Sequence, residues 1–569
     1  MVVQIWSSGT ADLCPPAAFK NTFCLARHWR LQLREASLKY EMKRILLTTV
    51  HRPLGINSDS CTEHVMSEVF HAQVTLAQGA FSIRDCCTGW GLDFIAANIA
   101  APCTVLHYPT IRQFRHELAK GYDYLGISFV ICTFNKAIEL CHLARKTSPA
   151  TRIVLGGYGT VLQECDQYAD FVCREEGVQF FKKLLGEEET YTVRIPLIEK
   201  RLSILSIAAK PVAIIPVGLG CSRGCDFCCT SHFFDRKYVP LLKTATEIHR
   251  IMKAVNPKRR SARRMAIVDE DFLADREKIV ELARLNAQII DKPILYQCLT
   301  SVGSLSQYDD MELLTSGLHG AWIGIESNRA QYPKLKHVDI GRLVTRLKDL
   351  GISVLASMIL GYDWHDEDTI EEDFQYLMSL APTFTQFMLY SPCPQTPLYK
   401  KMLAADRLLD VPYHKWDGFH LLFRHPHFSP ERLEKLLICF FEREYEELGP
   451  SVFRLMEIQL AGYREFRNHH NALLKKRAEI HKELCLEIYP LLRIGIQKAP
   501  SLSVKSHLKE LKAVVESELP VSAFDKAKGH ITPIFYLYTV LKDRMCSYRQ
   551  PRMIRHVYDS SNVPSLECL

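Results

Sequence analysis

The feature that most constrains the fold is a repeated alternation of short apolar segments with helix-like segments in the first 405 residues. Between about residues 211 and 405, six apolar segments are typical of buried strands, and amphipathic stretches separate them. This alternation indicates βαβ units and a parallel sheet. Six repeats predict a partial (β/α)6 TIM barrel with its chemistry at the carboxyl ends of the strands. The predicted strands are VAIIPVG (212–218), RMAIVDE (264–270), PILYQCL (293–299), GAWIGIE (320–326), ISVLASMIL (352–360) and TQFMLY (385–390).

A second series of the same kind precedes the barrel. From Met42 to about residue 200, apolar runs again alternate with helical patterns, which predicts a Rossmann-like doubly wound parallel sheet with helices on both faces. Such a sheet binds its ligand at the carboxyl ends of the strands, where the strand order reverses. The predicted strands are RILLTTV (44–50), CTVLHYP (103–109), DYLGISFV (123–130), RIVLGGYG (152–159) and DFVCRE (170–175).

These patterns divide the α/β chain into four segments. Residues 1–41 show no clear periodicity, and we predict a poorly ordered extension whose removal leaves the fold intact. Residues 42–204 form the Rossmann-like domain and residues 205–405 form the partial barrel. Residues 406–569 are predicted to be a mostly helical domain, in which the Ser-Pro pair at 429–430 begins a helix.

Composition excludes several classes of protein. Hydrophobic residues make up 47% of the chain and charged residues 24%, which is typical of a folded globular protein. A net charge of +7 over 569 residues gives no reason to expect nucleic acid as a partner. The basic loop PKRRSARR (257–264) is predicted to be a surface turn on the barrel face opposite the functional one. No apolar run is long enough for a transmembrane segment and no signal peptide is evident, so we expect a cytoplasmic protein.

The chain contains 20 cysteines, and in the cytoplasm these are expected to be thiols, metal ligands or catalytic groups. In GLGCSRGCDFCCTSHFF, Cys221, Cys225 and Cys228 directly follow the first barrel strand. Three thiolates this close together suit zinc or an iron-sulfur cluster. A structural zinc site closed by His232 or Cys229 is one alternative, although such sites usually take two separated pairs of ligands. Three ligands on a four-iron cluster leave one iron open to a substrate or cofactor.

Cys-x3-Cys-x2-Cys with an aromatic residue, Phe227, before the last cysteine resembles the motif of the radical S-adenosylmethionine superfamily. In that family the open iron binds S-adenosylmethionine, whose reductive cleavage gives a 5′-deoxyadenosyl radical. The resemblance implies that Cys221, Cys225 and Cys228 hold a 4Fe-4S cluster. It also implies an electron donor such as flavodoxin or ferredoxin.

Further segments along the barrel resemble elements of the same family. DEDF (269–272) is similar to the second-strand element, and GIES (324–327) is similar to an element that contacts S-adenosylmethionine. MILGYDWHDEDT (358–369) resembles the fifth-strand segment, except that Tyr-Asp-Trp replaces the usual residues after the glycine. The resemblance implies that Asp269 is catalytic, on the strand facing the radical. The residues implied to position S-adenosylmethionine are Phe227, Gly324, Glu326 and Gly361.

The Rossmann-like segment resembles the subgroup that carries a cobalamin-binding domain. The matching elements are DYLGISFVICTF (123–134), RIVLGGYGT (152–160), ADFVCREEG (169–177) and, after the barrel, SPCPQTPLY (391–399). The resemblance implies a bound cobalamin whose nucleotide tail is hydrogen-bonded by Ser128 and Thr133. Gly156 and Gly157 end a strand without side chains, which lets a flat, bulky ligand approach the backbone.

The histidine motif DxHxxG of some cobalamin proteins is absent. His51 in TVHRPLG is the nearest approach, but it is one residue out of register and lacks the aspartate. We therefore predict that cobalamin binds without a protein imidazole on cobalt.

Together these features predict a cobalamin-dependent radical S-adenosylmethionine methyltransferase acting on an unactivated carbon. The helices after the barrel and the aromatic segment YHKWDGFHLLFRHPHF (413–428), expected over the barrel mouth, favour a small or lipid-like substrate. One alternative is a radical enzyme that catalyses cyclisation, rearrangement or carbon–carbon coupling. A second is a non-catalytic metal-binding protein.

Overall fold

The first α/β domain contains five parallel strands in the order β2-β1-β3-β4-β5. The order reverses between β1 and β3, which confirms the doubly wound fold. The strands are β1 Ile45–Thr49, β2 Cys103–His107, β3 Tyr124–Ser128, β4 Arg152–Gly156 and β5 Phe171–Val172. The helices are α1 Val69–Gln73, α2 Trp90–Asn98, α3 Ile111–Leu118, α4 Phe134–Thr147 and α5 Gly177–Leu185.

This architecture comes from a computed structural model. The ranges that it describes are 43–54, 68–85, 89–188, 193–255, 264–335, 338–545 and 550–559. The predicted extension (1–41) and most of the basic loop (257–263) lie outside these ranges. Their predictions therefore stand as made.

Local sequence explains why the elements of the first domain form. All five residues of β1 are buried, as expected of a central strand covered on both faces. Helix α3 begins after Thr110, whose Oγ1 accepts a hydrogen bond from the Gln113 amide at 3.2 Å. The Gln113 side-chain oxygen accepts a hydrogen bond from the Thr110 amide, which completes a capping box.

The second sheet has the order β16-β15-β14-β13-β12-β9-β6 and contains the six parallel strands that the sequence predicts for the partial barrel. Its strands and the adjoining short ladders are β6 Ile198–Lys200, β7 Ser203–Ile204, β8 Ile207–Ala208, β9 Val212–Pro216, β10 Gly218–Leu219, β11 Val239–Pro240, β12 Arg264–Val268, β13 Leu295–Thr300, β14 Leu318–Glu326, β15 Ser353–Leu360 and β16 Phe384–Leu389. The helices are α6 Cys229–Phe233, α7 Ala245–Val255, α8 Arg276–Asn286, α9 Val302–Leu305, α10 Asp310–Ser316, α11 Ile340–Asp349, α12 Glu367–Leu380 and α13 Pro397–Ala404.

The boundary between the two α/β segments differs from the predicted one at 204/205. Strand β6 pairs antiparallel with β9, with Ile198 opposite Ile214, so the barrel sheet begins before residue 205. A three-residue strand at a sheet edge carries too short an apolar pattern to be recognised from sequence.

The last segment is mostly helical, but its end returns to the first sheet. Its helices are α14 Pro430–Leu448, α15 Ser451–Phe466, α16 Ala472–Ile488, α17 Leu492–Gln497, α18 Leu502–Glu518 and α19 Ala523–Met545, and its strand is β17 Ile554–Tyr558. Strand β17 pairs antiparallel with β2, so the end of the predicted helical segment (406–569) joins the first sheet. Within the described ranges, no helix combines the length and apolar character needed to cross a membrane.

A buried carboxylate fastens β17 to the first domain. Asp93 Oδ1 accepts hydrogen bonds from His556 Nδ1 at 2.7 Å and from the Tyr558 hydroxyl at 2.8 Å. The other oxygen accepts from His107 Nε2 at 2.8 Å. Because Asp93 lies on α2 and His107 on β2, this contact links a helix and two strands.

The two sheets present their carboxyl ends to one another. Tyr158, just after β4, lies edge-on to Phe233 of the loop after β9, with ring centroids 5.1 Å apart. Phe234 lies at 6.5 Å from the same ring. This arrangement brings the predicted cofactor-binding edge of the first domain to the cysteine loop of the barrel.

Candidate active site

The cysteine loop (residues 220–228) is wound into a tight curve by its own hydrogen bonds. Ser231 Oγ donates to the Cys221 carbonyl at 2.6 Å and accepts from the Gly224 amide at 3.2 Å. The Cys228 amide donates to the Cys225 carbonyl at 3.1 Å. Gly224 has φ +67°, and a Cβ there would lie 2.4 Å from Arg236 Nε, so the turn requires glycine.

The three predicted cluster ligands lie close enough to influence one another's protonation. Burial raises the pKa of the Cys221, Cys225 and Cys228 thiols, and it raises the pKa of Cys228 to about 11. The negative charge of another of the three cysteines also raises each of these pKa values. Without a metal centre the loop therefore holds neutral thiols, and cluster assembly releases protons. The donor set fits an iron-sulfur cluster held by three thiolates.

The two residues considered as a fourth zinc ligand are otherwise engaged. His232 Nε2 donates to the Cys225 carbonyl at 3.1 Å. A hydrogen bond with Cys229, followed by burial, raises the pKa of Cys393, so these two thiols face each other. Cys221, Cys225 and Cys228 thus share one loop, whereas Cys229 pairs with Cys393.

An ion pair that sequence analysis missed anchors the cysteine loop to the second barrel strand. Arg223 Nε donates to Asp271 Oδ2 at 2.8 Å. Asp271 Oδ1 also accepts from the Ser301 amide at 2.8 Å and the Thr300 hydroxyl at 3.1 Å. The only sequence signal was the third position of DEDF, where a third acidic residue follows the strand.

Aromatic residues from three barrel elements surround Phe227. Its ring lies edge-on to Tyr332 at 5.6 Å and to Tyr390 at 6.1 Å. Both tyrosine hydroxyls donate to the neighbouring Asp226, Tyr332 at 2.9 Å and Tyr390 at 2.5 Å. The loop is therefore tied to the ends of β14 and β16, and Phe227 is held in one orientation beside the thiols.

Gly324 and Glu326, predicted to position S-adenosylmethionine, lie together with Lys334. The Glu326 carboxylate forms a buried ion pair with Lys334. Glu326 has φ +67°, a left-handed conformation that is rare outside glycine and common at functional sites. A Cβ on Gly324 would lie 2.8 Å from Lys334 Nζ and closer still to the Glu326 carboxylate, so glycine leaves room for the pair.

The structure distinguishes Asp269 from its neighbour Glu270. Asp269 accepts hydrogen bonds from the Tyr238 hydroxyl at 2.6 Å and the Asp271 amide at 3.0 Å, which occupy both oxygens. In contrast, Glu270 Oε2 is buried without a hydrogen-bond partner among the described residues. Burial and the charge of Asp269 raise the pKa of Glu270 to about 7. Sequence analysis selected Asp269, whereas the geometry favours Glu270 as the available carboxyl group.

Gly361 shapes the end of β15. It has φ +91°, and its amide donates to His365 Nδ1 at 3.0 Å. The ring of the next residue, Tyr362, stacks on Trp364 with centroids 4.3 Å apart, and its centroid lies 4.5 Å from that of Tyr390. The tyrosine and tryptophan that replace the family's usual residues thus join the aromatic wall around Phe227.

A cavity of about 190 Å³ opens at the carboxyl edge of the first sheet, and we call it the glycine cavity. Gly126, Ser128, Gly156 and Gly157 line it from β3 and β4. Its opposite side is lined by residues that flank the cysteine loop, Leu219, Phe233 and Phe234. It lies where the strand order reverses, the usual place for a ligand in a doubly wound sheet.

The two predicted glycines differ in what they allow. A Cβ at Gly156 would meet only Cys173 Cβ at 3.9 Å, so that position faces open cavity. Gly157 has φ +87°, and a Cβ there would lie 2.6 Å from the Phe129 carbonyl oxygen. The absence of a side chain at Gly156 therefore leaves space for a ligand. At Gly157, glycine is required because the backbone conformation and the close Phe129 carbonyl exclude a side chain.

Two residues of the first domain lie outside this cavity. Thr133 Oγ1 donates to the Val130 carbonyl at 3.0 Å and accepts from its amide, and it does not line the cavity. The Thr133 hydroxyl closes the turn before α4, and its predicted contact with a nucleotide tail stays a prediction. His51 is also absent from the lining, and its Nε2 donates to Glu139 at 3.0 Å.

Comparison with known proteins identifies the barrel. Residues 215–377 match the family model for the radical SAM superfamily, a range that includes the three cysteines, Asp269, Glu326 and Gly361. The chain therefore contains a radical S-adenosylmethionine domain, which is the domain of an enzyme family. Members hold a 4Fe-4S cluster and S-adenosylmethionine and require a reductant.

Two curated relatives are named as methyltransferases. The chain is 21% identical over 403 residues to an uncharacterized methyltransferase, PH0819, of Pyrococcus horikoshii, covering 62% of this chain and 83% of the relative. It is 24% identical over 264 residues to the bacteriochlorophyllide d C-12(1)-methyltransferase of Chlorobaculum tepidum, covering 44% of this chain and 55% of that protein.

The two-domain architecture also resembles a solved structure. The radical S-adenosylmethionine methyltransferase TsrM of Kitasatospora setae, solved with cobalamin and a 4Fe-4S cluster, matches with a TM-score of 0.50 and 14% identity. The match covers 78% of this chain and 99% of TsrM. This likeness confirms the predicted order of a Rossmann-like domain, a barrel and further helices.

Proposed function

We propose that the protein is a cobalamin-dependent radical S-adenosylmethionine methyltransferase that methylates an unactivated carbon. The observation that carries this proposal is the shared lining of the glycine cavity. Gly126, Gly156 and Gly157 of the first sheet face Phe233 and Phe234 beside the cysteine loop. A ligand in this cavity would therefore lie next to the cluster.

The cavity suits a bulky ligand whose tail inserts beside the sheet. Gly156 leaves the end of β4 bare on the cavity side, and Ser128 offers a hydroxyl at the same edge. The lining is mostly apolar, with Trp90 and Phe181 on the helical side, as ligand pockets commonly are. These features support cobalamin as the occupant.

His51 is unsuited to coordinate cobalt. It is only 3% exposed and its Nε2 hydrogen bond to Glu139 points it toward α4. We therefore retain the proposal that cobalamin binds without a protein imidazole.

When bound, the cofactors supply the hydrogen-abstracting radical and the methyl group, and the chain supplies placement. Cys221, Cys225 and Cys228 would hold the cluster. Glu326, fixed by Lys334 and by its unusual backbone conformation, would orient S-adenosylmethionine. Phe227 and the surrounding tyrosines would keep water from the reacting groups.

Glu270 is suited to contact the substrate. Its carboxyl group lies just after β12, and the charge of Glu270 acts on Tyr158 across the gap between the domains. With a pKa of about 7, it is present as both acid and carboxylate at neutral pH. It can therefore donate or accept a hydrogen bond from a polar group of the substrate.

The surroundings favour a small or lipid-like substrate. Tyr158, Phe233 and Phe234 form an aromatic wall between the domains. The Chlorobaculum relative is named for a bacteriochlorophyllide, which supports an apolar substrate for this chain. We also propose a small electron-transfer protein, such as flavodoxin or ferredoxin, as donor and the cytoplasm as location, since the described cysteines are free thiols.

Labelled S-adenosylmethionine tests this function. The anaerobically reconstituted protein would be loaded with cobalamin and incubated with titanium(III) citrate and S-adenosylmethionine carrying a deuterated methyl group. We expect formation of 5′-deoxyadenosine and recovery of the deuterated methyl group in the cobalamin fraction. Cleavage without any methyl label in that fraction would favour another radical reaction. Absence of both would contradict an enzymatic role.

A further inference from the structure

A second cavity, of about 610 Å³, lies at the opposite end of the barrel from the cysteine loop. Arg264, Gln297 and His319 line it from the first residues of β12, β13 and β14. These strands are parallel, so this is their amino-terminal end, whereas the cysteine loop follows the carboxyl end of β9. We call this space the lower cavity. Helices α15, α16 and α19 close its other side.

The walls of the lower cavity are mainly aliphatic. Its volume falls within the range of about 300–1,000 Å³ that small-molecule sites occupy. Most of the apolar side chains that line it are branched, and Phe535 contributes the only aromatic ring of the lining among the described residues. The aliphatic side chains are Ile83, Leu202, Ile204, Ile207, Val452, Leu455, Leu484, Ile488, Leu491 and Ile531. Such walls suit a flexible hydrocarbon chain better than a flat ring system.

Two buried polar side chains in the lining have atoms without partners. His319 is 4% exposed and Gln459 is 1% exposed. Neither His319 Nδ1 nor Gln459 Nε2 has a hydrogen-bond partner within the described part of the chain. The Gln459 side-chain oxygen accepts from His481 Nδ1 at 2.9 Å, which leaves its NH2 group as the unused donor. Folded proteins rarely leave such groups unsatisfied, so a ligand head group is expected beside them.

A fully buried cation lies behind these two residues. Arg477 donates to the Leu314 carbonyl at 2.9 Å and to the Leu318 carbonyl at 2.8 Å. No carboxylate pairs with it among the described residues, and its Nε has no acceptor there. Buried guanidinium groups normally have an anionic partner because desolvating a lone charge is costly.

The lining itself adds to the positive charge. Lys210 and Arg264 share a single carboxylate, that of Glu487. Besides burial and the charge of His481, the charges of Arg477 and Arg264 lower the pKa of His319, so both cations act on the inner end of the cavity. The inner end is therefore electrostatically suited to an anion.

We propose that the lower cavity binds a single-chain aliphatic anion, with its carboxylate or phosphate head at Arg264, His319 and Gln459. Its hydrocarbon chain runs between α16 and α19 toward the surface. The chain emerges at Ile531 and Phe535, which line the cavity and are 50% and 39% exposed. This site is separate from the cluster and from the glycine cavity, so it does not depend on the proposed reaction.

Calorimetry on the reconstituted full chain tests this site. The probes are dodecanoate, dodecyl phosphate and dodecan-1-ol, each used below its micellar concentration. We expect one anion per chain, bound at least about tenfold more tightly than the alcohol because a charged head makes stronger hydrogen bonds. The tighter of the two anions identifies the head group. Equal affinity for anions and alcohol, or no saturable binding of either anion, would overturn the proposal.

Variants locate the site. Gln459→Leu and His319→Leu should remove the preference for anions while leaving binding of the alcohol. Ile488→Trp should fill the cavity and abolish binding of all three probes, and Ile531→Trp should obstruct the exposed mouth without disturbing the core. Leu502→Trp, at a position 83% exposed on α18, is the matched control and should bind normally. Unchanged affinity in both tryptophan variants at the cavity would contradict the assignment, and iron content verifies that each variant is folded.

Discussion

The glycine cavity and the cysteine loop lie at the facing carboxyl ends of the strands in the two sheets, but they differ in how they would bind a ligand. At the first edge, Gly156 lacks a side chain and faces open cavity, so a large organic ligand can reach the backbone there. At the second, three cysteines supply every predicted ligand bond, and Ser231 folds the loop that carries them. A large cofactor thus needs space, whereas a compact inorganic cluster needs donor atoms. Substitutions at the two sites should therefore have different effects on iron and cobalamin content.

The largest expected effect is at the cysteine loop. Cys221→Ala, Cys225→Ala and Cys228→Ala should each lose the 4Fe-4S cluster and all cleavage of S-adenosylmethionine, because every thiolate is a ligand. Iron analysis and the visible spectrum measure the loss. Cys229→Ala is the matched control and should keep the cluster, since this thiol faces Cys393. Full iron and activity in any of the three ligand variants would show that the assignment is wrong.

At the glycine edge, Gly156→Trp should abolish cobalamin uptake while iron content stays normal, because the new side chain enters open cavity. Cobalamin and iron measured on the same sample check this. Gly157→Ala is the contrasting variant and should lower stability, since at φ +87° a Cβ would lie 2.6 Å from the Phe129 carbonyl oxygen. Normal cobalamin binding by Gly156→Trp would leave the first domain without its proposed ligand.

Much of the architecture was predictable because its signals are local. The six barrel strands and five first-domain strands appear in the sequence as short apolar runs, and the structure places strands at each of them. The cysteine motif was equally clear because all three ligands lie within eight residues. Such features need no knowledge of distant contacts.

Other features depend on contacts between distant residues. The pairs Arg223 with Asp271 and Glu326 with Lys334 join separate loops that only the folded barrel brings together. The sequence likewise does not show that the Thr133 hydroxyl closes a turn in the folded domain. Strand β17 was missed because Arg555 and His556 interrupt its short apolar pattern and its partner β2 lies about 450 positions earlier. In each case the decisive partner is far away in the sequence.

An intermediate effect is expected at the anchor of the cysteine loop. Asp271→Ala would leave Arg223 and the Ser301 amide without their acceptor, at a cost of about 2 kcal/mol, equivalent to about 30-fold in local opening. Hydrogen exchange of the loop should rise accordingly and cluster reconstitution should slow. Asp291→Ala, at an exposed position before β13, is the control. Unchanged loop exchange in Asp271→Ala would show that the ion pair does not hold the loop.

The smallest effect concerns the attachment of β17, outside both edges. The hydrogen bond to Asp93 raises the pKa of His556 above its usual value. The stabilisation is therefore complete below about pH 6.5 and is lost as pH rises through the raised pKa. His556 is 46% exposed, so solvent screening limits the effect to about 0.5 kcal/mol.

Hydrogen exchange of residues 554–558, corrected for intrinsic rates, should thus report weaker attachment at pH 9 than at pH 6. His556→Gln should remove this dependence. Stronger protection at the higher pH would contradict the role given to this ion pair.

Electron paramagnetic resonance of the loaded protein tests most directly whether the two edges form one site. The sample would contain cob(II)alamin and the reduced 4Fe-4S cluster in the same chain. Because Phe233 and Phe234 line the glycine cavity beside the cysteine loop, we predict magnetic coupling that broadens or splits the cobalamin signal. The coupling should disappear in Cys228→Ala. A cobalamin spectrum that is identical with and without the reduced cluster would contradict a shared active site.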